Sequence, residues 1–184
     1  MSRIVAGRYR GRRLDTPKGR DVRPTTDRMR ERVFSMLAHG RYPDLAGARV
    51  ADIFAGTGAL GLEALSRGAA HVTFVENARP SLDCIRGNIG TLKADDLATV
   101  VTKNATALPP TQESCDFIFL DPPYRKGLLT PALEKLLAGG WLARDGVVVC
   151  ELASDEVFAI PAGLELVDER SQGQQRVLFL MMPD

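Results

Sequence analysis

The segment from Phe117 to Leu120 is four consecutive apolar residues, and it runs directly into Asp121, Pro122, Pro123 and Tyr124. The apolar run reads as a buried strand, which commonly closes on glycine, asparagine or small polar residues. The group that closes this one suits a different task, the holding of a planar amine. An exocyclic amine on a nucleobase has its lone pair delocalised into the ring and is a weak nucleophile. Using it as an acceptor requires that it be oriented and that the charge developing on nitrogen be stabilised. A carboxylate and a backbone carbonyl, each accepting one N–H, do both. Asp121 supplies the first and the Pro122 carbonyl the second. Pro122 and Pro123 restrict their own φ and the residue before each, so the carbonyl direction is set in advance. Tyr124 offers a flat face for a base that has left its stack. The competing reading is a proline-rich turn with an exposed tyrosine.

Two other strand ends carry chemistry. Residues 52–65 read DIFAGTGALGLEAL, in which Gly56, Gly58 and Gly61 form G-x-G-x-x-G between a strand and a helix. Glycines there let the backbone approach a ligand with no β-carbon in the way. Glu76 ends the next strand, 20 residues after Gly56, and an acid at that place can accept both hydroxyls of a ribose. The pattern meets the dinucleotide fingerprint, so NAD is one reading. S-adenosylmethionine is the other: it shares the adenosine and ribose, but has a sulfonium cation and an amino-acid tail in place of the pyrophosphate. Asp52 favours it, because a carboxylate repels pyrophosphate and attracts an ammonium or sulfonium. A hydride-transfer enzyme also has no use for Asp121 to Tyr124. The third strand end is Asn104, whose amide could meet an adenine edge or simply make an asparagine turn.

The elements that must position these groups follow from the patterning. Short apolar strands at Val50–Phe54, His71–Val75, Ala98–Thr102, Phe117–Leu120 and Val147–Cys150 alternate with helices at Leu60–Arg67, Pro80–Leu92 and Pro131–Leu137. That alternation predicts an α/β fold, a mostly parallel sheet with helices on both faces. Glu165–Arg170 and Arg176–Met181, around a Gln/Gly turn, predict a terminal antiparallel pair. Ligands in such sheets sit beyond the carboxyl ends of the strands, where all three groups fall.

Before Arg49 the pattern differs. Two short strand candidates, RIVAG and GRRLDT, precede a helix signalled by Pro24, Thr25, Thr26 and Asp27. Met29, Val33, Phe34, Met36 and Leu37 form its expected apolar face, with Arg28, Arg30 and Arg32 on the other side. We divide the chain into an extension, 1–46, and a catalytic domain, 47–184. The net charge of +1 hides an asymmetry, since residues 1–32 hold eleven Arg/Lys against four acids. Ten of the eleven are arginine, and the guanidinium fork suits phosphate and base edges. The extension is therefore expected to contact nucleic acid, with Arg8, Arg10, Arg12, Arg13 and Arg23 as the leading residues; a solvated basic arm is the alternative.

Length and composition fit a globular protein of one domain with a small appendage. No apolar run approaches the roughly 20 residues of a membrane helix. The basic N-terminus lacks the apolar stretch of a secretory signal, so a cytoplasmic location is expected. The three cysteines, Cys84, Cys115 and Cys150, have no C-x-x-C spacing and only two histidines in the chain to accompany them. They read as reduced, buried thiols, with no metal site expected.

Asp121 to Tyr124, the D-x-F-x-G-x-G at 52–58 and Glu76 together resemble the class I S-adenosylmethionine-dependent amino-methyltransferases. RIVAGRYRGRRL, RPTTDRMRERVFSML, FLDPPYRKGLL and GWLARDGVVVCE narrow the resemblance to the ribosomal small-subunit methyltransferase D family, over nearly the whole chain. The resemblance implies a Rossmann-like, seven-stranded sheet whose last strand is antiparallel, plus a small N-terminal extension. It implies methyl transfer from S-adenosylmethionine to the N2 amine of one guanine in 16S ribosomal RNA of the small subunit, by a protein able to act as a monomer. It also assigns residues. Asp52, Phe54, Gly56, Gly58, Glu76, Asn77, Asn104 and Ala105 fall on the cofactor side, and Asp121, Pro122, Pro123 and Tyr124 on the acceptor side. An amino-methyltransferase acting on adenine in DNA is the nearest competing function. It normally needs a sequence-reading module, for which this chain has little room. A catalytically silent RNA-binding assembly factor is the alternative from another class.

Overall fold

The structure is a computed structural model that describes residues 2–17 and 26–184. Arg23, Pro24 and Thr25 lie outside the described residues. The central element is a seven-stranded sheet: β3 (Arg49–Ile53), β4 (His71–Glu76), β5 (Ala98–Thr102), β6 (Cys115–Leu120), β7 (Leu142–Ala153), β8 (Glu165–Gln172) and β9 (Gln175–Met181). Four helices accompany it, α1 (Asp27–His39), α2 (Ala59–Ser66), α3 (Arg79–Leu92) and α4 (Leu129–Ala138). The strand order is β5-β4-β3-β6-β7-β9-β8. The first five run parallel, while β9 is antiparallel to both β7 and β8. The expected terminal pair therefore forms, and its second strand inserts beside β7 while its first becomes the sheet edge. Between β3 and β6 the chain changes its direction of travel across the sheet, which opens a crevice at their carboxyl ends.

Alternate strand residues feed two cores. Val50, Phe74, Phe117, Phe119, Val149 and Phe179 face one side, where α1, α2 and α3 cover them. Ala51, Ile53, Val75, Ile118, Leu120 and Val148 face the other, under α4. Both faces are thus dry, which is why these strands read as continuous apolar runs. Gly61 is required by this packing: a β-carbon there would lie 2.4 Å from the Phe74 ring.

The N-terminal residues are built onto the same core. Strands β1 (Ser2–Arg3) and β2 (Arg13–Leu14) pair antiparallel but span only two residues each, shorter than expected. The loop between them lies on α2. The Val5 and Ala6 amides donate to the Glu63 carboxylate at 2.8 and 3.0 Å, and the Tyr9 amide donates to Ser66 Oγ at 3.0 Å. Gly7 has φ 81°, and any side chain there would strike the Ser66 carbonyl. Ile4 and Leu14 join Met29, Val33, Phe34 and Leu37 of α1 in one cluster with the sheet. Packing is continuous across residue 46.

One expectation for α1 is corrected. Residue type assigns Arg30 to the polar face, but its side chain is fully buried. Residues 30, 33 and 37 share a helix face by spacing, so Arg30 falls inside the apolar stripe. It pairs with Asp27 at 2.7 Å and with Glu63 at 3.5 Å, and donates to the Arg3 carbonyl. Burial lowers its pKa, while Glu63 and Asp27 oppose that shift. Helix α1 starts as expected, with the Thr26 side chain accepting from the Met29 amide.

Candidate active site

Strand β3 delivers the chain to the site and then turns sharply. Phe54 takes φ 59°, a left-handed conformation costly for a bulky residue, and Gly56 and Gly58 follow at φ 57° and 78°. Strain of this kind persists only where surrounding bonds hold it. Here the Gly58 amide donates to the Ala55 carbonyl at 2.7 Å and the Gly56 amide to Glu76 Oε2 at 2.9 Å. A β-carbon at Gly56 would meet only the Phe54 carbonyl, at 4.0 Å, so the loop backbone is open to close approach at that point. Gly58 stands behind it as the cap of α2, where a β-carbon would meet the Phe74 and Ile85 side chains.

Asp52, on β3, is buried, and its Oδ2 accepts the Gly61 amide at 2.8 Å in the first turn of α2. Burial pushes its pKa up to about 8; the Gly61 N–H opposes this and the Glu76 charge adds to it. A cation placed beside Asp52 would restore the ionised form. A pyrophosphate would find a carboxylate already seated at this helix start, where free amides would be needed. Glu76 ends β4 and lines the cavity. Its carboxylate is oriented by three backbone amides, those of Gly56, Asn77 and Ala78.

Asn104 follows β5. Its side-chain oxygen accepts from the Thr106 amide and hydroxyl at 3.0 and 2.9 Å, so the asparagine-turn reading describes its local bonding. It also lines the cavity. Ala105 is buried behind it.

Asp121 leaves the end of β6, and Pro122 is buried while Pro123 is exposed. Tyr124 is half-buried, not an exposed turn residue. Its hydroxyl donates to Glu151 Oε1 at 2.5 Å, and Gln175 Nε2 donates to the same oxygen at 2.8 Å. Burial, the bond to Glu151 and the nearby carboxylates raise the tyrosine pKa.

These strand ends enclose one cavity of about 540 Å³, within the range of small-molecule sites. Asp52, Phe54, Gly56, Glu76, Asn77, Asn104, Asp121, Pro122, Pro123 and Tyr124 all line it; Gly58 and Ala105 stand behind the wall. The cavity also takes in Thr57, Ser81, Leu128 and Glu151, which sequence reasoning did not single out. Glu151 had a readable signal, an acid at the end of the apolar run VVVC, by the same logic that marked Glu76 and Asp121.

Four of the five arginines expected to contact nucleic acid lie on the surface, and the fifth, Arg23, is outside the described residues. Arg8, Arg10, Arg12 and Arg13 are exposed, with the Arg8 guanidinium 4.8 Å from the Tyr9 ring centre. Arg125, next to Tyr124, forms an exposed ion pair with Asp155 at 2.6 Å. Cys84, Cys115 and Cys150 are free thiols; Cys115 and Cys150 are buried as expected, but Cys84 is only partly buried, because it lies on α3 beside the helix's buried stripe and not within it. Among the described residues, no group of His, Cys, Asp and Glu is arranged to hold a metal ion, and no helix is long and apolar enough to cross a membrane.

A parallel sheet of this order, with its one antiparallel strand, a glycine turn after the first strand of the sheet and an acid ending the second, defines the class I methyltransferase fold. A solved structure of yhhF from Escherichia coli, described as a candidate methyltransferase, superposes with a TM-score of 0.85 at 39% identity, covering 98% of this chain and 97% of that one. The family described as conserved hypothetical protein 95 matches residues 2–181. Ribosomal RNA small subunit methyltransferase D of Escherichia coli K12 is 41% identical over 94% of this chain and 85% of its own length. The protein of the same name from Haemophilus influenzae is 34% identical over 93% and 89%. The chain belongs to this family, the ribosomal small-subunit methyltransferase D proteins.

Proposed function

We propose that this protein is a ribosomal RNA methyltransferase that transfers a methyl group from S-adenosylmethionine to the exocyclic N2 amine of one guanine in 16S RNA of the small ribosomal subunit. The observation that carries this reading is the convergence of Asp121 and Pro122 with Asp52 and Glu76 on a single cavity. One end of that cavity suits a planar amine and the other a cationic nucleoside.

Bound S-adenosylmethionine would supply the electrophilic methyl group. Asp52 would face its cationic end, Glu76 would accept ribose hydroxyls, and the open backbone at Gly56 would admit it closely. Asn104 and Asn77 would border the adenosine. At the acceptor end Asp121 and the Pro122 carbonyl would each accept one N–H of the guanine amine. That arrangement aims the nitrogen and places negative charge where positive charge develops. Tyr124 would take the face of the flipped base, held in place by its bond to Glu151. The proton left on the methylated amine can pass to Asp121 or to water, so no covalent enzyme intermediate is required. Arg8, Arg10, Arg12, Arg13 and Arg23 would meet RNA phosphates and set the register of the subunit on the enzyme.

The test offers labelled S-adenosylmethionine with small subunits from cells lacking the protein, and in parallel naked 16S RNA and DNA. Label on one guanine N2 in the subunit, absent with Asp121→Ala, is the expected result. Label on DNA adenine would keep the cofactor and overturn the substrate. Binding of S-adenosylmethionine with no transfer to any of them would favour a silent assembly factor.

A further inference from the structure

Guanine presents more than its amine to this pocket. Beside N2 lies N1–H, a second donor pointing nearly the same way. Adenine and 2-aminopurine carry a lone pair at their N1 instead. A cavity that grips the amine through Asp121 must therefore also meet N1, and the residue waiting there decides which base is accepted.

That neighbour is read from the sheet register. Strands β6 and β7 are parallel and adjacent, with Leu120 opposite Cys150. Asp121 follows directly after Leu120 where β6 ends, and Glu151 follows Cys150 within β7, so the two acids come next after a paired position, and both line the cavity and act on Tyr124. Glu151 is only 6% exposed and lines the same cavity. Its Oε1 is gripped from two elements, by Tyr124 of the acceptor loop and by Gln175 of β9. The carboxylate is therefore held in one orientation beside the acceptor group, and is not a mobile surface acid.

A structural duty alone does not require an acid here. Anchoring the Tyr124 hydroxyl and the Gln175 amide needs only an acceptor oxygen, which a glutamine provides without burying a charge. An ionised carboxylate is acceptor-only. It thus matches an N1–H and opposes an N1 lone pair. Two acids on neighbouring strand ends also repel each other, and a base edge with two adjacent N–H groups relieves that repulsion. We propose that Glu151 accepts the N1–H of the target guanine and is the residue that selects guanine over bases with a lone pair at N1. This rests on the guanine-N2 reading above.

The experiment uses the full chain and small subunits reconstituted with 16S RNA. The methylated guanine is first mapped with the wild-type protein, then replaced by 2-aminopurine, which keeps the N2 amine but has no N1–H. Glu151→Gln retains an oxygen for Tyr124 and Gln175 and turns an amide donor toward the base. Its rate on guanine should fall about 10- to 100-fold, the range for a hydrogen bond to a charged group. Its guanine-to-2-aminopurine rate ratio should fall at least tenfold from the wild-type value, while calorimetry shows unchanged S-adenosylmethionine binding. Tyr124→Phe removes the hydroxyl bond but should keep the wild-type ratio.

Equal losses on both bases in Glu151→Gln, matched by Tyr124→Phe, would overturn the proposal and leave Glu151 as an anchor for the tyrosine. Loss of S-adenosylmethionine binding in Glu151→Gln would also overturn it, moving the residue to the cofactor side. Wild-type label on an atom other than guanine N2 would defeat the underlying reading, and this proposal with it. Label on guanine N2 with an unchanged ratio would defeat this proposal alone.

Discussion

Binding of S-adenosylmethionine should be coupled to the ionisation of Asp52. The carboxyl is buried beneath the glycine turn and titrates at about 8 in the empty protein. Below that pH the group is mostly neutral, and a cationic ligand binds the ionised minority. The apparent affinity then scales with the ionised fraction, about 1 in 100 at pH 6, 1 in 11 at pH 7 and 1 in 4 at pH 7.5. Affinity should therefore rise about 20-fold from pH 6 to pH 7.5, with release of about 0.9 proton per ligand at pH 7. The window stops at pH 7.5 because the ligand's own ammonium has its midpoint near 8, and its loss offsets further gain above that. The sign is set by the ligand: a cation favours the charged carboxylate, so affinity climbs with pH. Calorimetry in buffers of different ionisation enthalpy measures both quantities. Asp52→Asn should bind more weakly at pH 7.5, with a flat profile and no proton release. The empty protein gives an independent check. The folded carboxyl holds its proton between about pH 4 and 8 and the unfolded one does not, so this group's contribution to stability is present below pH 4 and lost as pH rises to 8. The slope is at most about 1.4 kcal/mol per pH unit, and Asp52→Asn should remove it. A wild-type affinity that is constant from pH 6 to pH 7.5, with no buffer-dependent heat, would refute the coupling.

Asp121→Ala should lower the methyl-transfer rate by about 10²-fold or more with cofactor affinity retained, on the analogy of removing one oxyanion-type partner; single-turnover rates with calorimetry check it. Replacing Arg8, Arg10 and Arg12 together by alanine should flatten the salt dependence of RNA binding. Each phosphate deprived of its arginine should lower the slope by roughly 0.7–0.9 log unit per log unit of salt, and an unmoved slope would return these residues to a solvated arm. Glu63→Ala leaves Arg30 buried with one acid partner fewer and strips the Val5 and Ala6 amides of their acceptor. It should cost about 3–5 kcal/mol by denaturant titration, with the N-terminal segment the first part to gain protease sensitivity.

Much of the fold was legible because dry parallel strands must be apolar along their length. Ala98–Thr102 is recovered residue for residue, and the helix after the glycine turn shifts by only one. β7 is the exception, running from Leu142 where the apolar run begins only at Val147. Its first residues pair through an irregularity opposite Cys115–Phe117, which no local pattern reveals. Arg30 was misplaced for a related reason. Helical spacing put it in the buried stripe, but residue type argued for the surface, and the buried one of its two acid partners, Glu63, lies on α2, 33 residues further along the chain.

By itself the sequence determined the local chemistry. It set the glycine turn, the acids at strand ends, the two prolines after Asp121 and the basic bias of the first 32 residues. These are legible because each depends on residue type and short spacing. Tertiary structure alone decided which strand ends meet. It brought Glu151 into the cavity that Asp121 lines, and tied both the Tyr124 hydroxyl and the Gln175 amide to it. It also folded the N-terminal loop onto Glu63 and Ser66. Those bonds join residues 24 to 58 positions apart in the chain. Strand order and register create such neighbours, and no periodicity within one segment encodes them.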